Sequence, residues 1–407
     1  VIRDYDDYIH SCIHKWFVEN NIYEHRSIAS HWITSNIVAY SDLHEYAIND
    51  YAIINFNQLL CDQQKAQVLM DSVCGKLGLA HYKFNFEIIN LSYSSYSLNN
   101  SLKFMKESQN IYENMTKSYF SHKNVKNFIG VTEDKYILDE IFTNNRIHAV
   151  IHLSGLSNDP TALLDPALTE KSNILATKLL VKIAKKNKVK KFLFASSCSV
   201  YGFTGEKKIV NEKSKSKPLS EYSKSKVIGE KIVIKEKSKN FVVNCLRKGT
   251  LYGPSPRMRF DLALNTMVGS AIQAKEIIVN GGDQWRPFLH VDDAADAFIK
   301  LLENKNKKLN GQVYNVGANS ENFQIKDLAY TVKKFVSKSK IKFSKNFDNR
   351  SYKVNFDKIK NDLKWEPAKK IEDGALSVIK LFKTGKIKNF RDTNYYNIKR
   401  LISYLNI

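Results

Sequence analysis

A hydroxyl, a phenol and an ammonium group follow one another along the chain at Ser197, Tyr222 and Lys226. An unperturbed tyrosine is a poor base at neutral pH because its pKa is about 10, but a neighbouring cation favours the phenolate. If the segment around Tyr222 is helical, the spacing of four places Lys226 one turn away on the same face. Ser197 can then hold a substrate hydroxyl whose proton Tyr222 removes, while a hydride leaves the same carbon. This chemistry requires an oxidised nicotinamide.

The context of these residues favours a catalytic role over a solvated helix surface, which is where most tyrosine and lysine pairs at this spacing lie. Lys191–Ser197 is a short apolar segment, typical of a buried strand, that ends in hydroxyl groups. Pro218, Ser220 and Ser223 mark the beginning of a lysine-rich helix. A strand and a helix therefore bring the three groups into reach of one another.

The wider chain alternates between strand and helix from about Gln67 onward. Short apolar runs predict buried strands, and the stretch 173–186 predicts a helix between two of them. The predicted strands are Gln67–Met70, Phe86–Ile89, Ala149–Leu153, Lys191–Ala195 and Phe241–Leu246. Such alternation predicts an α/β fold with a doubly wound parallel (Rossmann) sheet and helices on both faces.

At these residues the chain resembles the extended short-chain dehydrogenase/reductase family, the NAD-dependent nucleotide-sugar epimerases, dehydratases and reductases. Phe194–Gly202 looks like the family's strand with the catalytic Ser or Thr, which is Ser197 here. Further matching segments follow in the family's order: Val150–Ser154, Asn173–Thr177, Leu246–Pro254, Arg286–Asp293, Tyr314–Gly317 and Arg350–Tyr352. The resemblance extends from about Gln67 to the C-terminus.

The resemblance implies a role for each matching residue. Tyr222 would be the catalytic base, Lys226 would lower its pKa and bind the nicotinamide ribose, and Ser197 would orient the sugar hydroxyl. The residues expected to bind NAD, with NADP also open, are Gly75, Gly78, Asn90, Leu153, Ser154, Asn173, Tyr222 and Lys226.

A nucleotide-diphosphate sugar is the expected substrate, held by Thr250, Arg286 and Arg350. Two guanidinium groups from separate loops suit a diphosphate because each can donate two parallel hydrogen bonds. Half of the ten arginines, including Arg247, Arg257 and Arg259, lie between residues 247 and 350, the half of the chain expected to hold substrate. A homodimer is the usual assembly of the family.

The glycine-rich turn that should cradle the cofactor departs from the family pattern. Gly75 and Gly78 fit the second and third glycines of G-x-G-x-x-G, but Val73 stands at the first, where a β-branched residue disfavours positive φ. Asn90 stands where the family places an acidic residue on the adenosine ribose, and Val131 replaces a further aspartate. Two interpretations follow: NAD binding with altered loop geometry, or a catalytically impaired nucleotide-binding or scaffold protein.

The reaction type is narrowed by Cys198 and Ser199, which stand where the family's dehydratases carry an Asp-Glu pair. Neither side chain can serve as a carboxylic acid or a carboxylate, so dehydration is disfavoured. Reversible oxidation of a sugar hydroxyl to a ketone remains. Return of the hydride to the opposite face gives an epimer, and its retention by the cofactor gives a dehydrogenase reaction.

Composition limits the kinds of partner and the cellular location that can be expected. A chain of 407 residues, 43% of them hydrophobic, can bury a full core, and no apolar run approaches the ~18 residues of a membrane span. Five cysteines without a C-x-x-C pair predict reduced thiols and, together with the absence of a signal-peptide pattern, a cytoplasmic location. The net charge of +22 is spread over lysine-rich helices, so neither a nucleic acid nor a membrane is an expected partner.

Residues 1–62 form a separate unit by composition. They are net acidic and contain half of the ten histidines, and their apolar spacing predicts amphipathic helices of an unassigned extension. His10 and His14 lie one helical turn apart, but no Glu accompanies them in an H-E-x-x-H pattern, so no metal site is expected. The predicted domains that follow are an NAD-binding domain over 63–245 and, over 246–407, a mainly substrate-binding domain with some segments returning to the Rossmann sheet.

Overall fold

The structure, a computed structural model, describes residues 128, 132–205, 208–255, 257–344 and 349–405. Residues Phe142–Leu405 form one compact unit. The predictions for the extension 1–62, the first two strands, the glycine-rich turn, Asn90 and Val131 lie outside the described residues.

The secondary structure of the described residues alternates between helices and strands. The helices are α1 (Lys135–Asn144, which crosses the boundary of the unit), α2 (Asp159–Leu164), α3 (Pro166–Thr169), α4 (Ala176–Lys186), α5 (Glu221–Lys235), α6 (Ala263–Gln273), α7 (Val291–Glu303), α8 (Ile325–Phe335), α9 (Asp357–Leu363), α10 (Ile371–Lys383) and α11 (Asn397–Leu405). The strands are β1 (Ala149–His152), β2 (Lys191–Ser197), β3 (Ile209–Val210), β4 (Val242–Lys248), β5 (Thr250–Tyr252), β6 (Glu276–Asn280), β7 (Trp285–His290), β8 (Val313–Val316), β9 (Asn322–Gln324), β10 (Lys340–Ser344) and β11 (Lys353–Val354). Shorter helical turns are the π-helical segment Glu170–Leu175 and the 3₁₀ turns Cys198–Tyr201, Lys307–Leu309, Asn319–Glu321 and Thr393–Tyr395.

The main sheet of the described residues is parallel and runs in the order β1-β2-β4-β8. Helices cover it, so the predicted α/β fold of Rossmann type is confirmed. The three predicted strands that fall in this region are present as β1, β2 and β4, with ends shifted by one to two residues. Since the strands are parallel, their carboxyl ends meet at one edge, where Ser197 of β2 is aligned with Lys248 of β4.

The smaller sheets lie in the half of the chain that follows β4. They pair β5 with β7 and β9, β6 with β10, and β3 with β11. One hydrophobic cluster lies around β2, β4, β8 and α7, and a second is formed mainly by α6, α8 and α10. The chain therefore returns to the main sheet at β8 after building part of the second cluster. The domain limits expected from the sequence, 63–245 and 246–407, stay predictions.

None of the described helices is long and apolar enough to cross a membrane. The stretch 173–186 is helical as predicted, but its first part belongs to the π-helical segment Glu170–Leu175. Such segments bulge out of an α-helix and are frequent at functional sites. Here the bulge contains Asn173.

Candidate active site

The carboxyl end of β2 and the first two turns of α5 bring the predicted catalytic residues together. Ser197 is the last residue of β2, and Tyr222 and Lys226 lie one turn apart on α5. Ser197 acts on Tyr222 as a side-chain hydrogen-bond partner. The Lys226 Nζ lies 5.7 Å from the centroid of the Tyr222 ring. The spacing in the sequence therefore becomes proximity in the structure.

The first turn of α5 is fixed by a reciprocal cap at Ser220 and Ser223. The Ser223 backbone N–H donates to Ser220 Oγ at 3.1 Å, and the Ser220 backbone N–H donates to Ser223 Oγ at 3.0 Å. Such a capping box satisfies two amides that the first turn otherwise leaves without partners. Ser220 Oγ also donates to a carboxylate oxygen of Asp159 on α2. Tyr222, two residues beyond the cap, is thereby held in a defined turn.

Glycine at position 229 allows α5 to approach β2 closely. A Cβ at this position would lie 2.6 Å from the ring of Phe194, which is too short for van der Waals contact. The same ring lies 5.0 Å from the Lys226 Nζ, an arrangement of cation and aromatic face. The Phe194 ring of β2 therefore lies against α5 at both Gly229 and Lys226.

The ionisation of Tyr222 differs from the sequence expectation. Burial raises the pKa of Tyr222 above its ordinary value, while the hydrogen bond with Ser197 and the charge of Arg259 lower it. We expected Lys226 to lower this pKa, but burial outweighs the stabilising contacts. The cation that acts on the phenol in this structure is Arg259, whose guanidinium is paired with both carboxylate oxygens of Asp261 at 2.9 Å.

Lys226 is buried in the candidate site, with 6% of its surface exposed. Burial and then the charge of Lys248 lower the pKa of Lys226 to about 7, while Glu230 opposes the shift. Burial and the charge of Arg259 lower the pKa of Lys248 to about 8. Lys226 makes no hydrogen bond with another described residue, so its ammonium group is available to a ligand.

His152, at the end of β1, adds a neutral ring to the same edge of the sheet. Its Nε2 lies 2.9 Å from the hydroxyl of Thr177, which itself donates to the Asn173 carbonyl oxygen at 2.6 Å. Since that hydroxyl proton is already used, His152 must donate from Nε2 and accept at Nδ1 from Ser154 Oγ, 3.1 Å away. Burial and then the charge of Lys226 lower the pKa of His152 to about 3, which keeps the ring neutral.

Asn173 links the loop after β1 to the catalytic helix. Its Oδ1 accepts from the Leu156 backbone N–H at 2.7 Å, and its Nδ2 donates to the Leu156 carbonyl at 3.0 Å and to Ser225 Oγ at 2.9 Å. Gly155 lies against this amide with φ of 124°, and a Cβ there would lie 2.5 Å from Asn173 Oδ1. The π-helical segment therefore positions a side chain that braces both neighbouring elements.

The predicted cofactor residues within the described chain lie at or near this carboxyl edge. Leu153 and Ser154 follow β1 directly, and 63% of the Leu153 surface is exposed. Asn173 reaches α5 through Ser225, and Lys226 acts electrostatically on His152. Gly75, Gly78 and Asn90 lie outside the described residues.

Arg286 and Arg350, predicted to bind the diphosphate, lie next to each other. Arg286 Nη1 donates to its neighbour's carbonyl, that of Trp285, at 2.8 Å and also to the Arg350 carbonyl. The Arg350 guanidinium forms an ion pair with Asp159, the carboxylate that also accepts from Ser220. Thr250 begins β5 and is aligned with Phe288 of β7.

Arg247 does not have the role that its position among the arginines suggested. It is 6% exposed and donates through Nε and Nη2 to the two carboxylate oxygens of Glu230, at 2.8 and 2.6 Å. Its Nη1 donates to the Tyr201 hydroxyl at 3.0 Å, and Tyr201 donates to Asn315 Oδ1 at 2.7 Å. A guanidinium engaged in this way beneath the sheet is not a ligand for a diphosphate.

Sequence reasoning missed Glu230 and the effect of Arg259 on Tyr222. The signal for Glu230 was Arg247 itself, because a charge inside a buried strand requires a partner. No sequence pattern indicated the effect of Arg259 on Tyr222, since Arg259 lies in a loop. Among the described residues, Cys198 and Cys245 are free, buried thiols, and no group of three metal-ligating side chains is present.

A parallel α/β sheet that presents a serine, a tyrosine and a lysine at the carboxyl ends of its strands defines the short-chain dehydrogenase/reductase class. The sequence profile of the NAD dependent epimerase/dehydratase family matches residues 105–317. This match spans more than half of the chain, and the chain belongs to that family.

Named relatives extend the comparison at low identity. The chain is 29% identical over 205 residues to "Probable UDP-arabinose 4-epimerase 3" of Arabidopsis thaliana, covering 45% of this chain and 49% of the relative. It is 30% identical over 212 residues to dTDP-D-glucose 4,6-dehydratase of Dictyostelium discoideum, covering 49% and 47%. The chain thus spans about half the length of these relatives.

A similar solved structure is that of UDP-glucuronic acid 4-epimerase from Bacillus cereus in complex with UDP-glucuronic acid and NAD. The identity is 25% and the TM-score 0.58, with 67% of this chain and 87% of that chain covered. Epimerases and a dehydratase therefore both occur among the relatives.

Proposed function

We propose that this chain is an NAD-dependent epimerase or oxidoreductase acting on a nucleotide-diphosphate sugar. The observation that carries the proposal is the convergence of Ser197, Tyr222 and Lys226 at the carboxyl edge of the parallel sheet. A likeness to an epimerase solved with a UDP-sugar and NAD supports the same substrate class and cofactor.

In the proposed reaction Tyr222 removes the proton of a sugar hydroxyl that the Ser197 hydroxyl orients. Bound NAD would supply the hydride acceptor for the carbon that bears this hydroxyl. The hydrogen bond from Ser197 and the charge of Arg259 favour the phenolate that the step requires and oppose the effect of burial on the Tyr222 pKa. Neutral His152 supplies no competing acid at this edge, since its pKa is lowered to about 3 by burial and by Lys226.

The residues at the sheet edge fit a dinucleotide. The Lys226 ammonium is almost fully buried and has no hydrogen-bond partner among the described residues, so a ribose hydroxyl would satisfy it. Leu153, exposed at the end of β1, offers an apolar surface, and Ser154 follows it with a hydroxyl. We assign these residues, with Asn173 and Tyr222, to the cofactor.

The proposed diphosphate ligands are Arg286 and Arg350, with Thr250 nearer the sugar. Support comes from the hydrogen bond between the Arg286 guanidinium and the Arg350 carbonyl, which brings the two arginines to neighbouring positions of the site. Asp159 pairs with Arg350 in this structure and is the group that a diphosphate would displace.

We further propose that the reaction is not a dehydration, although a dehydratase is among the relatives. Elimination of water needs an acid and a base beside the sugar. Cys198 is 1% exposed, and burial raises its pKa far above neutrality, while Ser199 is 6% exposed. Neither side chain can replace the carboxyl pair of the dehydratases.

A substrate panel tests this proposal. Purified protein is incubated with NAD and with UDP-, dTDP-, GDP- and CDP-sugars, and products are resolved by chromatography. An epimer, or a ketone or acid with reduced cofactor, is the expected product with at least one sugar. A 4-keto-6-deoxy product would contradict the exclusion of dehydration.

The competing hypothesis is a catalytically impaired nucleotide-binding or scaffold protein, which the departures at Val73 and Asn90 favour. Titration with NAD, followed by melting temperature, separates the two. A rise in melting temperature that saturates supports cofactor binding, because a ligand of the folded state stabilises it. No response at millimolar NAD removes the enzymatic proposal.

A further inference from the structure

Behind the catalytic residues lies a carboxylate that the proposed reaction does not use. Glu230 is 5% exposed and accepts three hydrogen bonds: from Ser196 Oγ at 2.5 Å and from Arg247 at 2.8 and 2.6 Å. These donors come from β2 and β4, while Glu230 belongs to α5. One side chain therefore joins three elements of the site.

The positions of these contacts relate directly to the catalytic groups. Ser196 is the residue before Ser197, and Glu230 lies one turn beyond Lys226, which itself lies one turn beyond Tyr222. The hydrogen bond between Ser196 and Glu230 consequently fixes the position of α5 along its axis relative to the end of β2. A shift of the helix by a fraction of a turn would separate Tyr222 from Ser197.

Glu230 also determines the charge around Lys226. The charged and titratable groups near that amine are His152 from β1, Arg247 and Lys248 from β4, and Tyr222 and Glu230 from α5 itself; Asp159 from α2 contacts the cap of the helix at Ser220. Lys248 disfavours the ammonium form and Glu230 favours it. Arg247 donates two hydrogen bonds to this carboxylate and pairs with its charge in a buried site.

We propose that Glu230, held by Ser196 and Arg247, is a positioning residue for proton transfer at this site. It aligns Tyr222 with Ser197 by joining α5 to β2 through hydrogen bonds, and its negative charge, one helical turn from Lys226, favours the ammonium form of that side chain. The inference rests on the proposed function for its kinetic consequences, and on the position of Glu230 one helical turn from Lys226 for its effect on that amine.

Two substitutions separate alignment from charge. Ser196→Ala removes the hydrogen bond to Glu230 and leaves the ion pair of Glu230 with Arg247 intact. Glu230→Gln keeps an oxygen that can accept from Ser196 and removes the negative charge. Glu230→Gln/Arg247→Met removes both charges and serves where the single variant does not fold. The matched control is Glu321→Gln, since Glu321 is 4% exposed and accepts from the Ile371 backbone N–H at 3.1 Å, away from the catalytic residues.

The direct readout is the protonation of Lys226. The NMR signal of its ε-carbon, assigned by its loss in Lys226→Arg, is followed against pH in the full chain. Removing a negative charge one turn away lowers the titration midpoint, by about one pH unit in Glu230→Gln. Ser196→Ala and Glu321→Gln leave the midpoint in place.

The kinetic readout is the division of the effect between kcat and KM. In Glu230→Gln and in Ser196→Ala we expect kcat to fall about tenfold with KM nearly unchanged, because the interaction serves the chemical step. A merely structural role would lower the yield of folded protein and leave kcat per folded molecule unchanged.

An unchanged Lys226 midpoint in both folded Glu230 variants, or a shift equal to that of Glu321→Gln, overturns the inference. Failure of the proposed function is distinguishable from this result. If the wild-type protein converts no nucleotide sugar, the function fails, while the titration of Lys226 still decides whether Glu230 controls its charge.

Discussion

The residues proposed for proton transfer and the two arginines proposed to bind the diphosphate are held in different ways. Tyr222 and Lys226 lie on one helix whose cap, close packing on Phe194 and buried ion pair all come from regular elements. Arg286 and Arg350 are instead held by backbone carbonyls and by Asp159. The first region is organised by contacts within the protein alone, and under the proposed function a diphosphate would replace contacts of the second.

Because of this difference, substitutions in the two regions should change different kinetic constants. A rigid group that acts only in the transition state affects kcat, whereas a group that binds the remote part of the substrate affects mainly KM. Substitutions in each region test this division through their separate effects on kcat and KM.

Tyr222→Phe removes the proposed base and keeps the ring. We expect kcat to fall by about 10²–10⁴-fold, the usual contribution of a positioned general base, with substrate affinity unchanged. Steady-state rates and equilibrium binding of the nucleotide sugar check this. A variant that keeps more than half of the wild-type kcat would contradict the assignment of Tyr222 to the chemical step.

Arg247→Met tests the stability of the organised region. Loss of one partner leaves Glu230 buried and uncompensated, so the free energy of unfolding should fall by about 3–5 kcal/mol. The double variant Arg247→Met/Glu230→Gln should lose less than the single one. Urea unfolding of both variants measures this, and equal losses would show that packing and not charge dominates.

Arg350→Ala probes the substrate side. Loss of charge-assisted hydrogen bonds to a diphosphate should raise KM about 10–100-fold and change kcat little. Arg391→Ala, at an exposed arginine of the same chain, is the control and should leave both constants near wild type. A fall in kcat without a rise in KM would place Arg350 with the proton-transfer residues.

His152 gives the organised region a pH dependence. Its pKa of about 3 in the folded protein, set by burial and then by Lys226, lies below the unfolded value of about 6.5, so the unfolded state binds more protons between these values. The stability it contributes is fully present above pH ~6.5 and is lost as pH falls, by at most about 1.4 kcal/mol per pH unit. Unfolding measurements from pH 7 to 5 should show a steeper loss in wild type than in His152→Gln. The exposed His148, replaced in the same way, should retain the wild-type slope.

Much of the organised region could be predicted from the sequence. Apolar runs gave β1, β2 and β4, and the spacing of Tyr222 and Lys226 gave one face of a helix, because both features depend on local periodicity. The return of β8 to the main sheet and the pair of Glu230 with Arg247 could not be predicted in this way. Periodicity indicates that a side chain is buried and does not name the group that it meets.

The substrate side was less predictable for a related reason. Arg286 and Arg350 are 64 residues apart in the chain, and their contact is made by a loop carbonyl. Arg247 was assigned to the substrate half on position alone, and the structure places it beneath the sheet with Glu230. The π-helical bulge at Asn173 also follows from tertiary contacts that no local pattern encodes.

A single-turnover experiment tests the central claim most directly. Wild-type protein preincubated with NAD is mixed rapidly with a nucleotide sugar identified in the panel, and the absorbance of reduced nicotinamide is followed. We predict a rise in wild type and none in Tyr222→Phe under identical binding saturation. An equal rise in both proteins would show that hydride transfer proceeds without the phenol, and would contradict the role assigned to Tyr222.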